Sequence, residues 1–370
     1  MEYIVSARKY RPGTFDSVEG QENITSTLKN AIKNRQLAHA YLFCGPRGVG
    51  KTTCARIFAK TINCNNISED YEACNECESC RSFNENRSYN IHELDAASNN
   101  SVDDIRQLID QVRVPPSMGK YSVYIIDEVH MLSPSAFNAF LKTLEEPPAH
   151  AIFILATTEK HKILPTILSR CQTFDFNRIS TDVALEYLKY VAGKEGVEAE
   201  EEALTVIASK ADGAMRDALS IFDQIVAFSG KTITYQQVIE NLNVLDYDYY
   251  FKLTELFLKE DTTGALLIYN EILNNGFDGS HFIYGMSCHF RDLLMCRDSQ
   301  TANLLEVGES IRNRYVEQSK HCDEEFLYEA LKITTQCELN YKTARNKRLH
   351  VEFALISLSR IFIEKKKQLN

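Results

Sequence analysis

The stretch Gly45-Pro46-Arg47-Gly48-Val49-Gly50-Lys51-Thr52 constrains this chain more than any other. It fits Gly-x-x-x-x-Gly-Lys-Thr, a pattern whose meaning depends on its flanks. Residues 40–44 before it (Ala-Tyr-Leu-Phe-Cys) form a short apolar run that predicts a buried strand, and residues 53–60 after it predict a helix. In a strand-loop-helix setting the glycines let successive backbone N–H groups turn inward around phosphate oxygens, while the helix N-terminus adds its positive dipole end. Lys51 is then placed to reach the outer phosphates of a nucleotide, and Thr52 to hold Mg²⁺.

Two acids supply the expected complement. Residues 121–128 are an apolar, β-rich run ending in Asp127-Glu128. A parallel strand with carboxylates at its C-terminal end delivers them to the sheet edge where ligands bind. Asp127 is expected to help hold Mg²⁺, usually through its waters, and Glu128 to polarise the water that attacks the γ-phosphate. Further strands are predicted at residues 90–95 and 151–158, and helices at 101–109, capped by Asn100 or Ser101, and around Phe137, Phe140, Leu141 and Leu144. Thr157 and Thr158 close the last of those strands, where a hydroxyl either approaches the γ-phosphate or caps the next turn. Strands alternating with helices, with the loop after the first of them, call for a parallel α/β sheet covered on both faces.

Ahead of the loop, Arg8-Lys9-Tyr10-Arg11-Pro12 leads through Phe15 and Val18 to a helix with Ile24, Leu28 and Ile32 on one face. This arm reads as a solvated terminus or, folded back, as a wall for the nucleotide base. Between the first two strands stands Cys64-x9-Cys74-x2-Cys77-x2-Cys80. Such spacing matches tetrahedral Zn²⁺, and four thiolates leave no open coordination position, so the metal is expected to be structural; an iron–sulfur cluster is the alternative. The chain carries eleven cysteines, an odd number that argues against a disulfide framework.

At 370 residues the chain exceeds one ordinary core. The longest apolar run, residues 151–156, is far short of a bilayer span, and the first eight residues have no signal-peptide hydrophobic core, so a cytoplasmic location and no membrane contact are expected. A formal charge of −10 argues against wholesale coating of nucleic acid while leaving room for a local basic track. From Ile179 onward no strand is expected. Amphipathic stripes such as Phe251-Leu253-Leu256-Phe257, Phe282-Met286-Phe290 and Leu355-Leu358-Phe362 read as helix-packing core without chemistry. Breaks near Arg178 and Asn243 are the expected domain boundaries, and residues 365–367 read as a solvated helix end.

Taken together, the arm from Ala7 to Pro12, the loop, the cysteine insertion, Asp127-Glu128-Val129-His130, Ser169-Arg170-Cys171 and Gly213-Ala214-Met215-Arg216-Asp217 resemble the gamma/tau family of bacterial clamp loader ATPases, within AAA+. The resemblance implies an AAA+ α/β domain over residues 1–178 with a zinc module at about 64–80, a helical lid over 179–242 and a helical collar over 243–370. It implies that Arg170 is an arginine finger reaching a neighbouring subunit's nucleotide, Thr158 a first sensor and Arg216 a second sensor. The residues it places around ATP are Ala7, Tyr10, Pro12 and Val18 of the arm, Gly45, Pro46, Arg47, Gly48, Val49, Gly50, Lys51, Thr52 and Thr53 of the loop, and Asp127. Implied partners are delta-type and delta-prime-type subunits in a hetero-pentamer, a sliding clamp and primer-template DNA, within the nucleoid-associated replisome. Tyr10 stands where many relatives have Trp, which keeps the wall aromatic. Arg106 is one candidate for a DNA-facing position.

Overall fold

The computed structural model describes residues 4–116, 119–242, 244–302, 304–305 and 307–362; the boundary expected at Asn243 and the basic end at 365–367 lie outside them. The chain forms two compact units, Met1–Glu195 with Lys210–Gln224 and Gly196–Ser209 with Ile225–Asn370, taken over the described residues of each.

The first unit is built on five parallel strands: β1 (Ala40–Cys44), β2 (Ile91–Asp95), β3 (Ser122–Asp127), β4 (Ala151–Thr157) and β5 (Gln172–Asp175), in the order β2-β3-β4-β1-β5. Because side chains alternate along a strand, β1 feeds two cores. Tyr41 and Phe43 pack with Leu28, Phe58 and Ile154 on one face, and Leu42 and Cys44 with Ile105, Phe140 and Leu155 on the other. Burial on both faces explains why β1, β3 and β4 are near-continuous apolar runs. The helix Val102–Val112 starts at Ser101, whose hydroxyl accepts the Asp104 N–H while Asp104 returns the bond.

The order of the strands positions the site. β1 lies between β4 and β5, so the chain leaving β1 enters the crevice beyond the strand ends, flanked by the C-termini of β4 and β5, with that of β3 one strand further on. Helix Lys51–Ile62 begins there, with Gly50 as its left-handed N-cap.

In the second unit, helices Tyr247–Leu258, Thr262–Asn274, Gly279–Met295, Glu324–Tyr341 and Lys347–Ser359 close around Phe251, Phe257, Phe282, Met286, Phe290, Phe326, Leu355 and Leu358. The apolar stripes read from the sequence are that core. His289 is wholly enclosed there, its ring nitrogens within 3.0 Å of the Tyr315 hydroxyl and 3.1 Å of the Thr254 hydroxyl, and burial drives its pKa down to about 3, so the ring is neutral. Contrary to the expectation of no strand beyond Ile179, the second unit contains a strand pair. Residues Glu198–Ala199 and Thr232–Ile233 pair as parallel two-residue strands, too short to carry any periodicity in sequence.

Candidate functional site

The loop between β1 and helix Lys51–Ile62 is held by its neighbours as much as by itself. Gly45 has φ +146°, and a Cβ there would stand 2.5 Å from the Phe176 carbonyl oxygen. Gly48 has φ +77°, and a Cβ would come within 3.0 Å of the Ala214 Cβ. Both positions therefore need glycine for conformation and for room. Lys51 is 6% exposed, and its ammonium donates to the carbonyls of Gly45 at 2.8 Å and Pro46 at 2.6 Å. Burial lowers its pKa, a shift opposed by the charges of Glu128 and Asp127.

Asp127 and Glu128 arrive at the end of β3. The Thr52 hydroxyl donates to Asp127 Oδ2 at 2.7 Å, and the Glu128 N–H donates to Asp127 Oδ1 at 3.0 Å. A hydroxyl and a carboxylate in contact at the loop are the oxygen donors a hard divalent cation takes, so the set fits Mg²⁺. Glu128 sits in the left-handed region at φ +48°, an unusual backbone for a residue with a Cβ. Its Oε2 accepts from the Thr158 hydroxyl at 3.0 Å and the Thr158 N–H at 3.3 Å. His130 lies behind, with Nδ1 3.0 Å from the Thr157 hydroxyl.

Lys51, Thr52, Asp127 and Glu128 border one cavity of about 600 Å³. Of the residues expected around a nucleotide, Ala7, Tyr10, Pro12, Val18, Arg47, Gly48, Val49, Gly50, Lys51, Thr52, Thr53, Asp127, Glu128 and Arg216 line it. Gly45 and Pro46 form the neck of the loop that holds Lys51, and Thr158 stands behind Glu128. Arg170 lines no part of it. Its guanidinium donates to Glu145 Oε1 at 2.7 Å and to the Thr166 carbonyl at 2.7 Å. Arg106 pairs on the surface with Asp103, one turn away on its own helix.

Arg11, part of the arm expected to fold back as a wall, also lines the cavity, as do Ile179, Tyr187, Met215 and Leu219, for which no role in the site is expected from sequence. The Arg11 guanidinium donates to the Thr53 hydroxyl at 3.2 Å, and burial, with Arg56 and Arg216 nearby, holds its pKa below the ordinary value. Glu93 and Asp127 oppose that shift, and the exposed guanidinium at the cavity's edge is placed to meet an anionic ligand. Leu219 could have been found, since it follows Arg216 by one helical turn and shares its face.

The four cysteines come together. Cys64 Sγ lies 3.5 Å from Cys74 Sγ and 4.0 Å from Cys77 Sγ, and all four sulfurs lie within 4.8 Å of one another. Tetrahedral Zn²⁺ with bonds of about 2.3 Å sets sulfurs about 3.8 Å apart, so the cluster fits the ion. The Cys77 N–H donates to Cys74 Sγ at 3.3 Å, and such backbone donors hold the Cys74 thiol below its usual value, favouring the thiolate a metal needs. We expect one colourless, tightly held metal per chain on elemental analysis of purified protein; a brown protein, or one without metal, would contradict this.

Comparison with known proteins identifies the chain's relatives. Three family models match in succession: "DNA polymerase III, delta subunit" over residues 20–180, "DNA polymerase III clamp loader subunit, ATPase lid domain" over 185–231, and "DNA polymerase III subunits gamma and tau domain III" over 233–369. DNA polymerase III subunit tau of Bacillus subtilis is 42% identical over 97% of this chain and 63% of that protein, and the Escherichia coli tau subunit 37% identical over 96% and 55%. This chain thus spans little more than half the length of those relatives. The gamma subunit of Buchnera aphidicola from Acyrthosiphon pisum is 38% identical over 77% of this chain and 79% of its own length. Among the described residues no helix is long and apolar enough to cross a membrane. On the strength of these matches, the chain belongs to the DNA polymerase III gamma/tau family of clamp loader subunits.

Proposed function

We propose that this chain is an ATP-hydrolysing motor subunit of a clamp loader, acting in the cytoplasmic replisome with delta-type and delta-prime-type subunits in a hetero-pentamer. In this reading ATP-driven assembly opens a ring-shaped sliding clamp and places it on primer-template DNA. The observation that carries the proposal is the convergence of Lys51, Thr52, Asp127, Glu128 and Arg216 on one cavity at the C-terminal edge of the sheet. A non-hydrolysing scaffold would have no need of that full set, which is the argument against the second reading.

Position around the cavity supports the following roles. The loop N–H groups and Lys51 bind the phosphates, and the arm with Tyr10 and Val18 faces the base. Thr52 and Asp127 hold Mg²⁺, which when bound offsets phosphate charge. Glu128, kept in place by Thr158, orients and activates the attacking water. Arg216 answers charge on the γ-phosphate from the turn after Gly213, and we assign residues 1–178 to the α/β domain and 179–242 to the lid. The collar over 243–370 then serves assembly. Arg170, which lines no part of its own cavity, is assigned to an adjoining subunit's site, which it reaches once its contact with Glu145 is exchanged.

ATP turnover measured with and without partner subunits, clamp and primed DNA tests the proposal: stimulation by the complete set supports a motor, and no turnover under any condition supports the scaffold. Lys51→Ala is expected to weaken ATP binding roughly 100-fold in a fluorescent-nucleotide titration, because a buried charge-assisted contact to phosphate is lost. Wild-type affinity in that variant would place the phosphates elsewhere.

A further inference from the structure

The cysteine module and the nucleotide cavity are joined by a physical tie. No cysteine of the module borders the cavity, but the arm that does so is bolted to the module just beyond Pro12. Glu72, in the loop between Cys64 and Cys74, is 9% exposed. Its Oε2 accepts the Phe15 N–H at 3.0 Å, its Oε1 accepts the Asp16 N–H at 3.1 Å, and Lys29 Nζ closes an ion pair at 2.9 Å. Lys60, 4% exposed and on the helix that begins at Lys51, donates to the Gly13 carbonyl at 2.9 Å and to Asn75 Oδ1 at 2.7 Å. Asn75 occupies the left-handed turn between Cys74 and Cys77, so Lys60 links the arm to the metal turn itself. The Glu72 loop is closed on its own account by the Ser68 hydroxyl, which accepts the Glu72 N–H at 3.0 Å.

Segment 13–16 is therefore fixed by three backbone hydrogen bonds from two buried charged side chains. The cavity residues Tyr10, Arg11 and Pro12 precede it and Ser17 and Val18 follow it. The upstream end of the arm is tied separately, by the Tyr187 hydroxyl donating to the Tyr10 carbonyl at 2.8 Å and Ser6 N–H donating to Asp223 Oδ2 at 2.6 Å. A loop fixed at both ends is preorganised, and loss of one anchor returns conformational freedom that binding must then remove.

We propose that the metal module is the anchor of the base-facing wall, and that Glu72 and Lys60 are positioning residues for recognition of the nucleotide base. This rests on the cavity being the nucleotide site, as proposed above. The metal sets the fold of residues 64–80, that fold aims Glu72 and Asn75, and these set the arm. Phosphate binding, held by the loop and Lys51, is independent of this chain of contacts.

The test compares a non-hydrolysable ATP analogue, the matching GTP analogue and inorganic tripolyphosphate, each titrated with Mg²⁺ against the full chain. Glu72→Gln keeps the shape of the side chain but turns one acceptor into a donor facing a buried N–H. The loss of such a contact is expected to weaken the ATP analogue about tenfold. The preference for ATP over GTP should fall with it, while tripolyphosphate affinity and metal content stay at wild-type values. Lys60→Met should act in the same direction and is the variant to use if Glu72→Gln does not fold. Removing the metal with a chelator should reproduce the loss, and adding Zn²⁺ back should reverse it. Wild-type ATP affinity and base preference in the folded variant and in the metal-free protein would overturn the proposal. An equal loss of tripolyphosphate binding would also overturn it, since the effect would not be confined to the base. Failure of the wild-type chain to bind ATP at all would instead overturn the nucleotide site itself.

Discussion

Arg170→Ala is expected to bind ATP within a few-fold of wild type and to lose about 10³- to 10⁵-fold in turnover once assembled, the range over which a cation supplied in trans acts on phosphoryl transfer. Affinity is spared because Arg170 touches nothing in its own cavity; its guanidinium is held by Glu145 and the Thr166 carbonyl. Turnover suffers because charge spreads over the equatorial oxygens of the transferring phosphoryl, and Arg170 is the residue the proposal assigns to meet it from the next subunit. The contact with Glu145 is half-exposed and weak enough to be exchanged on assembly. Single-turnover hydrolysis in the assembled complex, set beside equilibrium binding, checks both halves. A variant that binds poorly yet turns over normally would place Arg170 outside the reaction.

Glu128→Gln gives the second large effect. Removing a positioned general base costs about 10²- to 10⁴-fold in the chemical step, and the amide keeps the shape of the carboxylate. Binding should persist, because Lys51, Thr52 and Asp127 are untouched, and the complex should accumulate in its ATP-bound form. The left-handed backbone at Glu128 and its two bonds from Thr158 hold the carboxylate in one orientation. Thr158→Ala is therefore expected to lower turnover in the same direction and by less. Normal steady-state turnover in Glu128→Gln, measured by phosphate release, would remove Glu128 from the water-activating position.

What could be read from sequence was what local chemistry dictates. A strand buried on both faces must be apolar throughout, which made β1, β3 and β4 visible, and a phosphate loop must be glycine-rich at Gly45, Gly48 and Gly50. Four cysteines at close spacing need little more than a turn to meet. β5 was missed for the converse reason: it is an edge strand of four residues with only Phe174 buried, so it carries no periodic signal. Arg11, Tyr187 and Leu219 meet around the cavity only because the arm folds back against helices Thr181–Glu195 and Met215–Ser229. That convergence is tertiary, and neither spacing nor propensity within any one segment encodes it. The same holds for Glu72, which in sequence is one acid in a polar loop and in the fold is buried against the backbone of residues 15 and 16.

The most direct test of shared catalysis is a mixing experiment. Lys51→Ala supplies a chain with its finger but without a working nucleotide site, and Arg170→Ala one with the site but without the finger. Each is expected to be nearly inactive when assembled alone with wild-type partner subunits, clamp and primed DNA. Assemblies made from both together should recover ATP turnover, because some sites then find an intact arginine next door. A mixture as inactive as either parent, or full activity from Arg170→Ala alone, would contradict catalysis shared between neighbouring subunits.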